Sequence, residues 1–438
     1  MLKTLQNAFK IKEIREKLLY TFFMLVVIRL GSQLPIPGVD TKFFAELFAR
    51  QSSDAFGFFN TITGGSFTNM SVFALSITPY ITSSIIMQLL TIAIPKLEEM
   101  QREGEDGRKK IAEYTRYLTV GLALMQSIAM SVGFGGRGLL IDFNAVSVIV
   151  AIATMTSGSA MLMWIGERIT ERGVGNGISI VLLFNIISTL PSDMITLYER
   201  FLVGKNVPVA TVSLIIILAI ILAMVVFVIV LQDGERRIPV QYSKKMQGRK
   251  MVGGQSTNIP LKVNTAGVIP VIFASSLMSF PVAIAEFFQV DYATFGGKIL
   301  RALNSGSWFH AEYPVYSIGM VVYIALIVVF AYFYTSITFN PLEVANNMKK
   351  SGGFIPGIRP GKPTSDYLNN ILNYIVFIGA CGLIVVCLIP IMVSGIFSVG
   401  SLSFGGTSLI IIVGVVLETI KAVEAQMLVR NYRGFLND

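Results

Sequence analysis

Charge is scarce in this chain, at 14% of 438 residues, and side chains suited to metals are scarcer still: one histidine, His310, and two cysteines, Cys381 and Cys387. With 53% hydrophobic residues and a mean hydropathy of +0.67, the shortage excludes a soluble globular domain of this length, which carries about 25% charged residues. The two cysteines fall in one apolar run, six residues and so roughly 9 Å apart along a helix, too far for a disulfide. They read as buried packing residues. The apolar runs contain almost no carboxylate or histidine: Asp142, Glu167, Asp193 and Glu286 stand at their borders, Glu418 lies late in the last, and His310 is outside them all. A proton- or ion-coupled transporter needs such groups paired at membrane depth, and a metal or acid–base site needs them at ligand or catalytic spacing. Neither pattern is present, so the expectation is a chain with no cofactor and no enzymatic chemistry. RGVGNG (172–177) looks like a phosphate loop, but an apolar span precedes it where a buried strand would be needed, so it reads as a tight turn.

What the chain does have is ten long apolar runs, near residues 18–34, 70–94, 117–134, 146–165, 177–191, 211–232, 265–285, 314–335, 371–393 and 405–423. Most meet the requirement of about 20 apolar residues for a membrane span, and an all-α polytopic membrane protein follows. With the N-terminus assigned to the cytoplasm, the loops on its side hold 27 of the 35 Lys and Arg, the opposite loops hold seven, and Arg29 lies within the first span. Shifting the frame by one helix reverses that ratio, so the positive-inside rule sets both termini in the cytoplasm. Residues 1–17 are basic and amphipathic, and the run that follows lacks a small-residue cleavage site, so the first span is expected to stay. The net charge of +9 comes from the cytoplasmic loops and suits anionic lipid head groups or a nucleic-acid partner.

Three loops stand out. In 233–264 the run GERRIPVQYSKKMQGRK (234–250) predicts a projecting hairpin that carries Arg236, Arg237, Arg249 and Lys250. In 336–370 the run FIPGIRPGKPTSDY (354–367) is stiffened by Pro356, Pro360 and Pro363 and sets Arg359 at a rigid tip. Such side chains suit phosphates or an acidic protein surface, although fixing topology would by itself explain their charge. On the other side, FGFFNTITGGSF (56–67) is too short to cross, and Gly64 and Gly65 let it bend. A plug in a pore mouth and an amphipathic surface helix both fit it.

Two spans are polar for lipid-facing helices. The second has Ser76, Thr78, Pro79, Tyr80, Thr82, Ser83, Ser84 and Gln88, and the seventh has Thr265, Pro270, Ser275, Ser276 and Ser279. Small and hydroxyl residues allow close approach with modest bonding, so these surfaces could part at little cost or simply pack. Each is the second helix of a five-span half, and an odd number per half makes the halves inverted repeats.

RLGSQLPIPGVD (29–40), SITPYITSSIIMQLL (76–90), EGEDGRKKIAEYTRYLT (103–119), MWIGERITERGVGNGISI (163–180), QSTNIPLKVNTAGVIPVIFASS (255–276), FNPLEVANNMKKSGGFIPGIRPG (339–361) and GGTSLII (405–411) occur in the order, and with the wording, of one family. On these runs the chain resembles the SecY family, the channel subunits of the bacterial Sec protein translocase. The resemblance implies ten helices in a clamshell of two inverted pseudosymmetric halves, residues 1–200 and 201–438, hinged between the fifth and sixth spans. It implies a pore ring of Ile77, Ile81, Ile178, Leu182, Ile272 and Ile411, with Leu182 where the family often has Ile. A narrow aliphatic ring dewets and blocks ions, yet yields to a polypeptide. It also implies a plug including Phe58, Phe59, Asn60, Ile62, Gly64 and Gly65, and a lateral gate including Ser83, Ser84, Gln88, Pro270 and Ser276. Implied partners are SecE and SecG subunits, the SecA ATPase motor, the translating ribosome, signal peptides and nascent chains, in the bacterial plasma membrane. The tail after Gln426 is short, so contacts that involve it do not carry over. An inverted-repeat solute transporter and a poreless ribosome receptor are the rivals. The first lacks buried ionisable groups, and the second leaves the plug and ring unexplained.

Overall fold

Each apolar run contains a helix in the computed structural model, which describes residues 8–42, 60–201, 207–242, 245–247, 250–252, 256–288, 294–304, 308, 314–397 and 406–434. The helices are α1 (Lys12–Gly31), α2 (Thr78–Ala93), α3 (Pro95–Arg102), α4 (Glu105–Phe134), α5 (Ala145–Arg172), α6 (Gly177–Phe201) and α7 (Val207–Asp233), then α8 (Ile269–Phe288), α9 (Phe295–Leu303), α10 (Ile318–Thr338), α11 (Pro341–Lys350), α12 (Lys362–Phe397) and α13 (Gly406–Gly434). Among the described residues six long segments, lying on α4, α5, α6, α7, α10 with α11, and α12, are long and apolar enough to cross a membrane. A seventh is α2 joined to α3 through a 105° bend. Pro95 causes that bend, because it cannot donate the next helical hydrogen bond and pushes Ile94 into an extended conformation. Val146, Leu222 and Tyr374 are exposed on the outside, as are many other large apolar side chains. Such a surface is stable against lipid, where helices also satisfy every backbone group internally.

The second span differs from its expectation of 70–94. Residues 64–77 are turns, Met70 and Ser76 have φ of 43° and 50°, and the helix begins only at Thr78. Pro79 therefore sits in the first turn, where its missing N–H costs nothing, and does not kink a helix. Pro270 has the same place in α8, and the proline inside that helix is Pro281. The cysteine expectation also needs correcting. Cys387 is buried and Cys381 is exposed, since six residues is one and two-thirds turns and sends the two side chains to different faces of α12.

Each half contributes its own core. Gly158 of α5 has no room for a Cβ, which would land on the carbonyl oxygen of Val72. Gly158→Ala is expected to cost about 1–3 kcal/mol of stability through overpacking. A lowered thermal midpoint of the purified protein is the readout, and an unchanged one would mean that α5 can back away.

The two basic loops, separate in sequence, join in one small sheet. Strand β1 (Glu235–Tyr242) pairs antiparallel with β4 (Ser256–Lys262) in the register Ile238↔Ile259, and its other edge takes β5 (Gly353–Phe354) from the second loop. The return strand of the hairpin is thus β4, beyond the expected end at residue 250. β2 (Lys245–Gln247) and β3 (Lys250–Val252) form a minor ladder between them. Ile238, Val240 and Leu261 pack with Met348, Ile355 and Leu368, which seats the sheet on α11 and the base of α12. α11 starts cleanly because Asn340 accepts from the N–H groups of Leu342 and Glu343 and Pro341 fills the first turn.

Candidate functional site

The six aliphatic residues singled out as a ring come from four places in the chain and meet in one apolar cluster. Ile77 is fully buried just before α2, and Ile81 follows one turn later. Ile178 and Leu182 are one turn apart at the start of α6, while Ile272 comes from the first turn of α8 and Ile411 from the second turn of α13. The second half of the chain therefore supplies two members and the first half four. α6 lies close enough to α5 for this because Gly166 and Gly177 face each other: a Cβ on Gly166 would stand 2.6 Å from Ile178 Cδ1 and 3.6 Å from Ile77 Cδ1. The turn between the two helices, RGVGNG, uses Gly175 at φ 72°, and Asn176 Oδ1 accepts from Ile178 N. Branched aliphatic contacts carry no directional bonds, so the cluster can seal and reopen without leaving polar groups unpaired.

The segment ahead of α2 closes over this cluster. Phe58 and Phe59 lie outside the described residues. Residues 60–63 form a helical turn that ends on Gly64 and Gly65, with φ of 67° and 82°. Asn60 Oδ1 accepts from Thr68 Oγ1 at 2.6 Å and ties the turn into a compact loop, while Ile62 is buried in the same cluster as the six aliphatics. Gly64 is needed for close approach as well as for its φ, since a Cβ there would come within 2.8 Å of Ser188 Oγ. Its carbonyl accepts from Ser188 Oγ at 3.3 Å and from Arg29 Nη1 at 3.2 Å, which gives the arginine inside the first span its local partner.

The gate residues are more dispersed. Ser83 is fully buried and donates to Pro79 O at 2.7 Å, on its own helix. Ser84, Gln88 and Ser276 are half-buried and Pro270 is buried. Both α2 and α8 pack on α4, so the two halves touch there. On the basic side, Arg359 is exposed in a turn bounded by Gly357 and Gly361, its carbonyl accepting from Thr364 Oγ1 at 2.8 Å. Arg236 is exposed, whereas Arg237 pairs with Glu235 at 2.7 Å on the same strand. Arg249 lies outside the described residues, and Lys250 is placed through its backbone pairing with Gln247. Among the described residues no three His, Cys, Asp or Glu side chains gather as a metal site.

Two residues in this region escape a sequence reading. Asn185 of α6 donates to Ile62 O and Ser76 Oγ, and Ser159 Oγ donates to Ser76 O. An inventory of ionisable groups passes over a carboxamide. The available signal was a lone asparagine amid GISIVLLFNII (177–187).

The SecY family model matches residues 71–420. A protein translocase subunit SecY from Streptomyces galbus is 45% identical over 457 aligned residues, covering 100% of both chains. A solved structure described as that of a protein conducting channel superposes with a TM-score of 0.62 at 20% identity, over 94% of this chain and 93% of its own. Sec61 in a canine ribosome-channel complex from the endoplasmic reticulum gives a TM-score of 0.60 at 17% identity, over 94% and 93%. At those identities the two structures establish a shared fold.

Proposed function

The chain belongs to the SecY family, and on that premise we propose that it forms the pore of a protein translocase in the bacterial plasma membrane. Unfolded secretory chains pass through the constriction of Ile77, Ile81, Ile178, Leu182, Ile272 and Ile411. Apolar signal or transmembrane segments leave sideways between the α2–α4 and α8–α10 sides. The observation that carries this reading is the convergence of those six aliphatics, from both halves, on one apolar cluster that also takes in Ile62. Residues 56–67 act as the plug. The two halves, 1–200 and 201–438, hinge between α6 and α7.

No group in the spans supplies energy, so the drive comes from outside, from the SecA ATPase or a translating ribosome. Both would meet the basic side, where the β4–β1–β5 sheet and the Arg359 turn project. Lys and Arg there suit ribosomal phosphates and anionic lipids alike. The distribution of 27 basic residues against seven supports placing that side, and both termini, in the cytoplasm. SecE and SecG subunits would cover part of the exposed apolar exterior.

The test is ion conductance of the complex in planar bilayers, with and without residues 56–67. Deletion is expected to leave assembly and some transport intact while the resting channel leaks ions. Unchanged conductance after deletion would remove the plug from this account, and an absence of signal-dependent transport by the intact complex would remove the channel.

A further inference from the structure

Asn185 is 5% exposed in the middle of an apolar helix, where a carboxamide is costly unless both ends of its duty are met. Its Nδ2 donates to Ile62 O at 3.1 Å and to Ser76 Oγ at 2.9 Å. The first acceptor belongs to the plug segment. The second belongs to the residue immediately before Ile77 of the constriction, and Leu182 of the constriction lies three positions earlier on α6. Ser76 is held at φ 50°, a conformation that a side-chain-bearing residue keeps only when its surroundings impose it. Those surroundings are Asn185 on its hydroxyl and Ser159 on its carbonyl. Packing alone would be served by a leucine of similar size, without two aligned hydrogen bonds.

Resting on the plug reading above, we infer that Asn185 is a positioning residue that latches the end of the plug to the strained residue beside the constriction. Withdrawing the plug takes Ile62 O away from the amide and leaves Asn185 anchored at one acceptor only, free to turn off Ser76 Oγ, so plug release and loosening of Ile77 are coupled. Arg29 and Ser188 hold Gly64 O in parallel and set a second hold on the same turn.

The test uses the assembled, reconstituted complex with Cys381 and Cys387 replaced by alanine and a single reporter, Ile62→Cys, whose native side chain is buried. The readouts are the rate at which a membrane-impermeant maleimide labels position 62 and the resting ion conductance. Asn185→Leu is expected to raise both by roughly tenfold, the equivalent of about 1.4 kcal/mol and in the range of one or two lost hydrogen bonds. Asn185→Asp keeps the shape but removes the donors, and is expected to act in the same direction. Wild-type labelling and conductance with the aspartate would show that shape alone matters and would overturn the latch. Ser76→Ala removes one acceptor and should give a smaller rise of the same sign, which decides the matter if the leucine variant does not assemble. Should deletion of 56–67 leak while the Asn185 variants label and conduct as wild type, the latch fails and the plug stands. Faster labelling of the variants with no leak from them or from the deletion supports the latch and sinks the plug.

Discussion

A disulfide between cysteines placed at Ser83 and Ser276 stops signal-dependent secretion and membrane insertion, and a long flexible crosslinker at the same positions restores both. The expectation rests on how the gate helices satisfy their polar groups. Ser83 donates to Pro79 O, Thr82 to Thr78 O and Thr91 to Met87 O, all within α2, while Ser275 of α8 shares a hydrogen bond with Tyr323 of its own half. Parting α2 from α8 therefore breaks none of these hydrogen bonds, and an incoming hydrophobic segment offers both helices new apolar partners. Gln88 Oε1 is buried without a partner among the described residues, so opening relieves it. Closure of a disulfide requires the two Cα atoms to come within about 7 Å, which reports on the seam directly. Transport rates of reconstituted vesicles check the outcome: full signal-dependent transport with the short crosslink in place would mean that the gate lies elsewhere or does not open.

Arg359→Glu should abolish motor-driven transport while the protein inserts and folds normally. The turn that presents Arg359 is built without its guanidinium. Ile355 is buried beneath it, Gly357 and Gly361 adopt φ of 83° and 106°, and Thr364 Oγ1 binds the Arg359 carbonyl. Reversing the charge leaves that scaffold intact and puts a carboxylate where an acidic or phosphate partner would dock. Losing a charge pair at an interface costs about 2–5 kcal/mol, which is roughly 30-fold or more in affinity. A milder form of the same loss should appear on raising ionic strength. ATP-driven transport into vesicles at the wild-type rate would take Arg359 out of the contact surface.

That the chain is an all-α polytopic membrane protein could be read from the residues, because lipid imposes a local requirement. Each crossing must be long, apolar and hydrogen-bonded within itself, and each requirement shows in a window of about 20 residues. The basic loops were legible for the same reason, as counts of Lys and Arg. The features that depend on distant partners were not. Nothing near Thr78 reveals that α2 starts eight residues late, since the turns before it are held by Asn185 and Ser159, 109 and 83 positions away from Ser76. Nothing in either basic loop shows that Gly353–Phe354 completes the sheet begun at Glu235. Ile77, Leu182, Ile272 and Ile411 are ordinary span residues by composition, and family wording alone set them apart until the fold brought them together. Hydropathy decides which segments enter the membrane. Which of their side chains meet is decided by helix packing, where glycines such as Gly166 and Gly177 let α5 and α6 come close and Asn185 ties α6 to Ile62 and Ser76.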